Sequence, residues 1–188
     1  MSLHTVKKGG LTLTIGYDEW AESPLEWDEV KIAYLQRSRY TLGNASVSED
    51  KMDEIRDRIA SGELYGLAVY AYVHSGVALK TAPFSCAFDS GQSGFVYIKK
   101  DSPDIAHFKG NTEEIYKFLS GCVENYSDYL NGSNYDYRTE DEDGEVIDSC
   151  CMGTWGNFYA LCEECEGILD GWVEDRKKEA AAKINLLY

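Results

Sequence analysis

The chain has no apolar run long enough for a transmembrane helix. None of its stretches reaches about 18 consecutive apolar residues, and a helix that spans a bilayer needs about 20. Residues 1–10 carry Lys7 and Lys8 without an apolar core behind them, which is not the pattern of a secretory signal peptide. We therefore expect a soluble, cytoplasmic protein.

Basic side chains are also scarce. The chain has 18 Lys and Arg residues against 33 Asp and Glu residues, and its formal net charge is −15. Nucleic-acid binding depends on basic side chains that replace the counterions of phosphates, and anionic membrane surfaces attract basic segments. We expect neither direct nucleic-acid binding nor membrane binding.

The common catalytic motifs are absent. The chain contains no G-x-G-x-x-G, no G-x-x-x-x-G-K-[ST], no G-x-S-x-G and no H-E-x-x-H. Nucleotide hydrolysis and the common hydrolase mechanisms therefore have no support from motifs, and we expect no cofactor.

Apolar residues are plentiful enough for a packed core. They make up 44% of the 188 residues, and aromatic residues make up 13%. This length and composition predict one folded domain over residues 1–188.

The negative charge is confined to one part of the chain. Residues 112–175, called here the acidic segment, contain 17 carboxylates and only two basic residues, Lys117 and Arg138. Acidic and basic residues balance in the remainder. Such concentration projects a local negative field, although carboxylates on the solvent face of helices and a hairpin would give the same count.

The first third of the chain predicts strands, a loop and a helix. Leu11–Ile15 alternates apolar and polar residues, as a first strand does. We expect Trp20 and Trp27 to hold the following loop to the core, whereas residues 30–40 fit a helix or a strand equally. A helix begins after Ser46 or Ser48 and ends at Ser61–Gly62, with Met52, Ile55 and Ile59 on one face.

The middle of the chain predicts an antiparallel meander of three strands. These are residues 64–74, 77–81 and 95–98, with an irregular stretch over residues 83–94.

The acidic segment predicts two helices and a hairpin. Asn111 or Thr112 caps a helix that ends at Asn131–Gly132. Asp143–Gly144 predicts a tight turn between strands at residues 135–139 and 145–150. Residues 156–175 form a helix whose inward side chains are Leu161, Ile168, Leu169 and Trp172. The fold class is therefore α+β: an antiparallel meander sheet with flanking helices and a C-terminal hairpin–helix unit.

One loop carries the residue types of a thiol-dependent hydrolase or amidase. Cys86 is the candidate nucleophile, His74 the base and Asp89 the group that orients the base. The structural alternative is a turn at Asp89–Gly91 and a cysteine packed in the core.

The cysteines leave several alternatives open. An even count of six invites disulfides, but a cytoplasmic chain favours reduced thiols. Cys162 and Cys165 have the spacing of zinc ligands, yet on a helix they share one face and more often pack inward. Asp141–Glu145 lacks the ligand spacing of a calcium loop, so it favours a hairpin turn. We therefore expect no metal site. The six are Cys86, Cys122, Cys150, Cys151, Cys162 and Cys165.

Several blocks of the sequence resemble a family of uncharacterised small acidic proteins encoded by phages and mobile elements. The blocks are Asp18–Asp28, His74–Gly76, Pro83–Cys86 with Asp89–Gln92, Tyr126–Gly132 and Glu140–Cys150. They cover most of the chain, from about residue 17 to residue 160. The resemblance implies a phage or mobile-element context and no particular biochemical activity.

That context and the acidic segment together suggest an inhibitor that mimics DNA. An acidic surface competes for a basic groove that otherwise binds phosphates, and it associates rapidly through electrostatic steering. We therefore expect a non-enzymatic binding protein with an anti-restriction or other anti-defence role, whose partner is a basic host protein such as a nuclease or a DNA-binding protein. The alternatives are the thiol-dependent enzyme and a structural accessory protein of a phage or mobile element. The candidate partner-binding residues are Glu113, Glu114, Glu124, Asp128, Asp136, Glu140, Asp141, Glu142, Asp143, Glu145, Glu163, Glu164, Glu166, Asp170, Glu174 and Asp175.

Overall fold

A computed structural model of the protein describes residues 2–26, 28–36, 38–86 and 88–185, with side chains as far as residue 182. In chain order its strands and helices are β1 (Ser2–Lys8), β2 (Leu11–Tyr17), β3 (Lys31–Leu35), β4 (Ala45–Val47), α1 (Glu49–Ala60), β5 (Leu64–Val73), β6 (Val77–Lys80), β7 (Ser90–Lys99), α2 (Thr112–Leu130), β8 (Asn134–Glu140), β9 (Val146–Thr154) and α3 (Phe158–Asn185). Short 3-10 turns lie at Pro24–Glu26 and Pro103–Phe108.

The chain forms two compact units. The first unit joins residues 1–21 to residues 133–188, and the second consists of residues 22–132. The acidic segment is therefore divided, because α2 belongs to the second unit whereas β8, β9 and α3 belong to the first. The expectation that residues 1–188 fold as one domain stays a prediction.

The first unit is a four-stranded antiparallel sheet with α3 against one face. The strand order is β1-β2-β8-β9. Alternate residues of β2 and β8 point to the helix, as the period of a strand requires. The buried side chains of this core are Leu11, Leu13, Ile15, Tyr135, Tyr137, Leu161, Cys162, Cys165, Leu169 and Val173.

The second unit is a five-stranded sheet with a helix on each face. The strand order is β4-β3-β7-β5-β6, and every pair is antiparallel except β3 with β4. Helix α2 packs Ile115, Leu119 and Val123 against one face. Helix α1 packs Met52 and Ile55 against Ala33 and Phe95 on the other.

The predicted α+β class is confirmed, and so are the local signals for element ends. Ser48 caps α1 by accepting from the Lys51 N–H, and Asn111 caps α2 by accepting from the Glu114 N–H. The hairpin around Asp143–Gly144 is present, and residues 30–40 contain a strand, β3. The three middle strands are present and antiparallel, but the predicted meander is wrong, because β7 pairs with β5 and not with β6, the strand that precedes it in the chain.

Four expectations about particular segments are wrong. Leu11–Ile15 is not the first strand, because Ser2–Lys8 precedes it and pairs with it. Residues 90–94 are not irregular, since β7 begins at Ser90. Trp20 is 89% exposed and does not hold its loop to the core, and Trp27 lies outside the described residues. Trp172 is 38% exposed and donates its indole N–H to Asp148 rather than packing inward.

None of the helices in the described part of the chain is both long and apolar enough to cross a membrane.

Candidate functional sites

All sixteen candidate partner-binding carboxylates reach the surface of their own unit. Twelve are exposed, and Asp128, Glu140, Asp141 and Glu166 are half-buried. Burial raises the pKa of Asp128 above its ordinary value. Glu113, Glu114, Glu124 and Asp128 lie on α2 in the second unit, and the other twelve belong to the first unit.

Six of the sixteen carboxylates lie within ion-pair distance of a basic side chain, although the partner of Glu166 is His4, which is charged only when it is protonated. All six lie in the first unit, and four of them are on α3. The pairs are Glu140–Arg138 (3.0 Å), Asp141–Arg176 (3.7 Å), Glu166–His4 (2.8 Å), Asp170–Lys8 (2.5 Å), Glu174–Lys177 (2.7 Å) and Asp175–Lys178 (3.0 Å).

Ten carboxylates have no ion pair within the described residues. Six of these are in the first unit, at the hairpin tip, on β8 and in the first half of α3. The ten are Glu113, Glu114, Glu124, Asp128, Asp136, Glu142, Asp143, Glu145, Glu163 and Glu164.

The hairpin tip is a hydrogen-bonded turn with exposed acidic side chains. Asp141 Oδ1 accepts from the N–H groups of Asp143 and Glu145, both at 3.0 Å. Gly144 closes the turn with a φ of 82°, a conformation that glycine adopts without strain. The turn leaves Glu142, Asp143 and Glu145 exposed, and the Glu142 carboxylate lies over Gly10 between β1 and β2. Among the described residues, no group of three or more His, Cys, Asp or Glu side chains is placed to bind a metal ion.

His74, Cys86 and Asp89 lie in or beside an exposed loop of the second unit. His74 Nδ1 lies 3.8 Å from Asp89 Oδ2, and the two side chains are 69% and 44% exposed. The Cys86 side chain is exposed, and its carbonyl oxygen accepts a hydrogen bond from Ser90 Oγ. Within the described residues no hydrogen bond joins Cys86 to His74. The structure thus brings the candidate base near its orienting acid without connecting the thiol to either.

The remaining cysteines are free thiols in differing surroundings. Cys162 and Cys165 pack inward on α3, as helical spacing predicts, and burial raises the pKa of both, that of Cys165 to about 11. Burial likewise raises the pKa of Cys122 to about 12. Cys151 is exposed, and a hydrogen bond to Asp18 raises the pKa of its thiol. Thiols with such pKa values remain protonated and weakly nucleophilic at neutral pH.

A cavity of about 520 Å³ in the second unit was not predicted from the sequence. Its charged lining comes from the loop before β3 and from β3, α1 and β7, so only the tertiary fold brings these residues together. They are Asp28, Glu29, Lys31, Lys51, Arg58 and Lys99, beside Tyr97.

Comparison of the chain with protein-family models, with curated proteins and with solved structures finds no match.

Proposed function

We propose that the protein is a non-enzymatic binding protein whose acidic surface occupies the basic DNA-binding groove of a host protein, such as a nuclease. A phage or mobile-element origin would make this an anti-defence activity. The observation that carries the proposal is the set of carboxylates that are exposed or half-buried and make no ion pair within the described residues, six in the first unit and four in the second.

The first unit supports the proposal best. Its hairpin tip presents three unpaired carboxylates on a turn that hydrogen bonds hold in place. Outside the tip, Glu163 and Glu164 on α3 are also unpaired, and so is Asp136 on the face of the sheet that points away from α3. Fixed negative charges need little reordering when they bind, and they attract a basic groove from a distance.

The alternative functions have no comparable support. A nucleophile and its base must reach hydrogen-bonding range, and no such bond links Cys86 to His74 among the described residues. A structural accessory protein has no observation in its favour.

The test is affinity capture from host lysate at low salt, followed by elution with about 0.5 M NaCl, where charges on exposed surfaces are strongly screened. We expect a basic nuclease or DNA-binding protein to be captured and then released by salt. We expect the triple variant Glu142→Gln, Asp143→Asn, Glu145→Gln to capture much less of it, because Asp141 still holds the turn while the tip loses its charge.

Two control proteins complete the design. The variant Glu19→Gln, Glu26→Gln, Asp101→Asn removes the same number of exposed carboxylates outside the acidic segment, and Cys86→Ala removes the candidate nucleophile. Both should capture the partner as the unmodified protein does. Capture that resists salt, or that both triple variants reduce equally, would contradict the proposal.

A further inference from the structure

The second unit of this strongly acidic protein contains a cavity lined by four basic and two acidic side chains. The cavity occupies about 520 Å³ on the α1 side of the sheet, where β3 begins and β7 ends. A volume of this size lies within the range of about 300–1,000 Å³ that is usual for small-molecule sites.

Sheet register places the polar lining on one face. Lys31 of β3 lies opposite Tyr97 of β7. Lys99 lies two residues beyond Tyr97, so its side chain leaves the sheet on the same side. Helix α1 packs on the neighbouring part of that face, and its residues Lys51 and Arg58 complete the charged lining of the cavity.

Two of the four cations are held in place by acidic neighbours. Lys51 Nζ lies 2.7 Å from Glu54 Oε1, and Arg58 Nη2 lies 2.5 Å from Glu63 Oε1. In contrast, Lys31 and Lys99 are exposed and make no ion pair within the described residues. The cavity therefore has two positioned cations and two whose charge is not balanced by a direct partner.

The surroundings of Tyr97 are consistent with this arrangement. The Tyr97 side chain is half-buried, and burial raises the pKa of its hydroxyl, whereas the nearby Lys51 and Arg58 act in the opposite direction. The hydroxyl is thus a neutral hydrogen-bond donor at physiological pH, next to two cations. Its ring adds a flat apolar surface to the lining.

We propose that this cavity binds a small phosphorylated molecule of about nucleotide size. A phosphate group accepts several hydrogen bonds at once, so it can engage Lys31 and Lys99 together, while Arg58, whose Nε and Nη2 already donate to Glu63, adds a nearby positive charge. The Tyr97 ring contacts the remainder of the ligand. Asp28 and Glu29 lie at the acidic end of the lining and accept hydrogen bonds from hydroxyl or amino groups.

The test is isothermal titration calorimetry of the full chain with ATP, inorganic pyrophosphate and adenosine as probes. We expect ATP and pyrophosphate to bind and adenosine to bind far more weakly. The double variant Lys31→Ala, Lys99→Ala should raise the Kd for ATP about tenfold or more, because it removes two charge-assisted contacts. Both side chains are exposed and unpaired, so the variant should still fold.

Matched variants separate a specific site from general attraction between charges. Lys117→Ala removes a lysine of the same unit that lies on α2 outside the cavity, and it should leave the Kd within about twofold. Tyr97→Phe keeps the ring and should weaken ATP only modestly. Absence of ATP binding at about 5 mM, or equal weakening by Lys117→Ala and by the double variant, would overturn the inference.

This inference does not depend on the acidic surface. The hairpin variant Glu142→Gln, Asp143→Asn, Glu145→Gln should bind the probes as the unmodified protein does, whereas Lys31→Ala, Lys99→Ala should still capture the basic partner. Failure of one proposal is therefore distinguishable from failure of the other.

Discussion

At the scale of single residues, Gly94 marks a place where two strands approach too closely for any side chain. A Cβ atom at Gly94 would overlap the Ala33 carbonyl oxygen on β3 and would lie 3.3 Å from Met52 Cε on α1. The φ of Gly94 is not in the left-handed region, so the requirement comes from packing and not from a turn. The close approach also lets α1 pack directly onto the sheet.

Replacing Gly94 with alanine should destabilise the second unit. The backbone of a central strand cannot move aside easily, so we expect Gly94→Ala to lower the free energy of unfolding by about 3 kcal/mol or more. Gly91→Ala lies on the same strand with no atom within 4 Å of its new Cβ, and it should change stability by less than about 1 kcal/mol. Urea unfolding followed by circular dichroism measures both. Equal effects of the two substitutions would contradict the packing explanation.

Local residue signals were predictable from the sequence, and orientations set by tertiary packing were not. The sequence predicts Ser46 or Ser48 and Asn111 or Thr112 as caps, and the structure has Ser48 and Asn111, because a cap bonds to the backbone only three residues away. Helical periodicity predicts that Trp172 points inward, yet its indole N–H donates to Asp148, 24 residues earlier in the chain. Nothing in the sequence around Trp172 indicates that partner.

At the scale of elements, α2 covers the outer edge of β6. Asn131 donates from Nδ2 to the Val77 carbonyl and accepts the Val77 N–H at Oδ1, as a neighbouring strand would. Ser127 Oγ accepts the Leu79 N–H at 2.9 Å, and Ser120 Oγ lies 2.8 Å from Thr81 Oγ1. These contacts follow alternate residues along the strand, so the helix pairs with an edge that would otherwise be open to another chain.

We expect the double variant Ser127→Ala, Asn131→Ala to expose this edge. It removes hydrogen bonds to two backbone N–H groups and to the carbonyls of Val77 and Ser127, and each such bond contributes about 1 kcal/mol, or less where the side chain is exposed as at Asn131. The free energy of unfolding should therefore fall by about 2–3 kcal/mol. Light scattering should also show self-association that increases with concentration, because the unpaired edge can bind a second copy.

A control for the edge variant lies on the same helix. Asn125→Ala removes an exposed amide that makes no hydrogen bond within the described residues, and it should leave both readouts unchanged. If the double variant is destabilised but stays monomeric, the lost hydrogen bonds account for the whole loss of stability, and the edge-protection role is refuted.

The elements themselves were more predictable than their partners. The turn at Asp143–Gly144 follows from two adjacent residues, and the hairpin it predicts is present. The pairing of β2 with β8 joins segments more than one hundred residues apart. Nothing in the sequence of either segment predicts that it pairs with the other. The cavity lysines were missed for the same reason, since β3, α1 and β7 meet only in the folded sheet.

At the scale of the whole molecule, the excess of negative charge is shared by both units. The first unit contains seven basic and sixteen acidic residues, and the second contains eleven and seventeen. The imbalance is larger in the first unit although that unit is smaller. Self-repulsion of this kind destabilises a compact state, whereas exposed ion pairs contribute little to its stability.

Salt should therefore stabilise the protein. Raising NaCl from about 0.02 M to about 0.5 M shortens the screening length from roughly 20 Å to a few ångströms, which weakens repulsion between carboxylates more than it weakens contacts between paired charges. We expect the free energy of unfolding to rise by about 1 kcal/mol or more over this range, as measured by urea unfolding at each salt concentration.

The variant Glu142→Gln, Asp143→Asn, Glu145→Gln should be more stable at low salt and should respond less to salt, because its hairpin tip carries three fewer unpaired charges. A fall in stability with added salt would instead mean that the ion pairs between α3 and its neighbours outweigh the repulsion, and the acidic surface would then be largely neutralised within the protein itself.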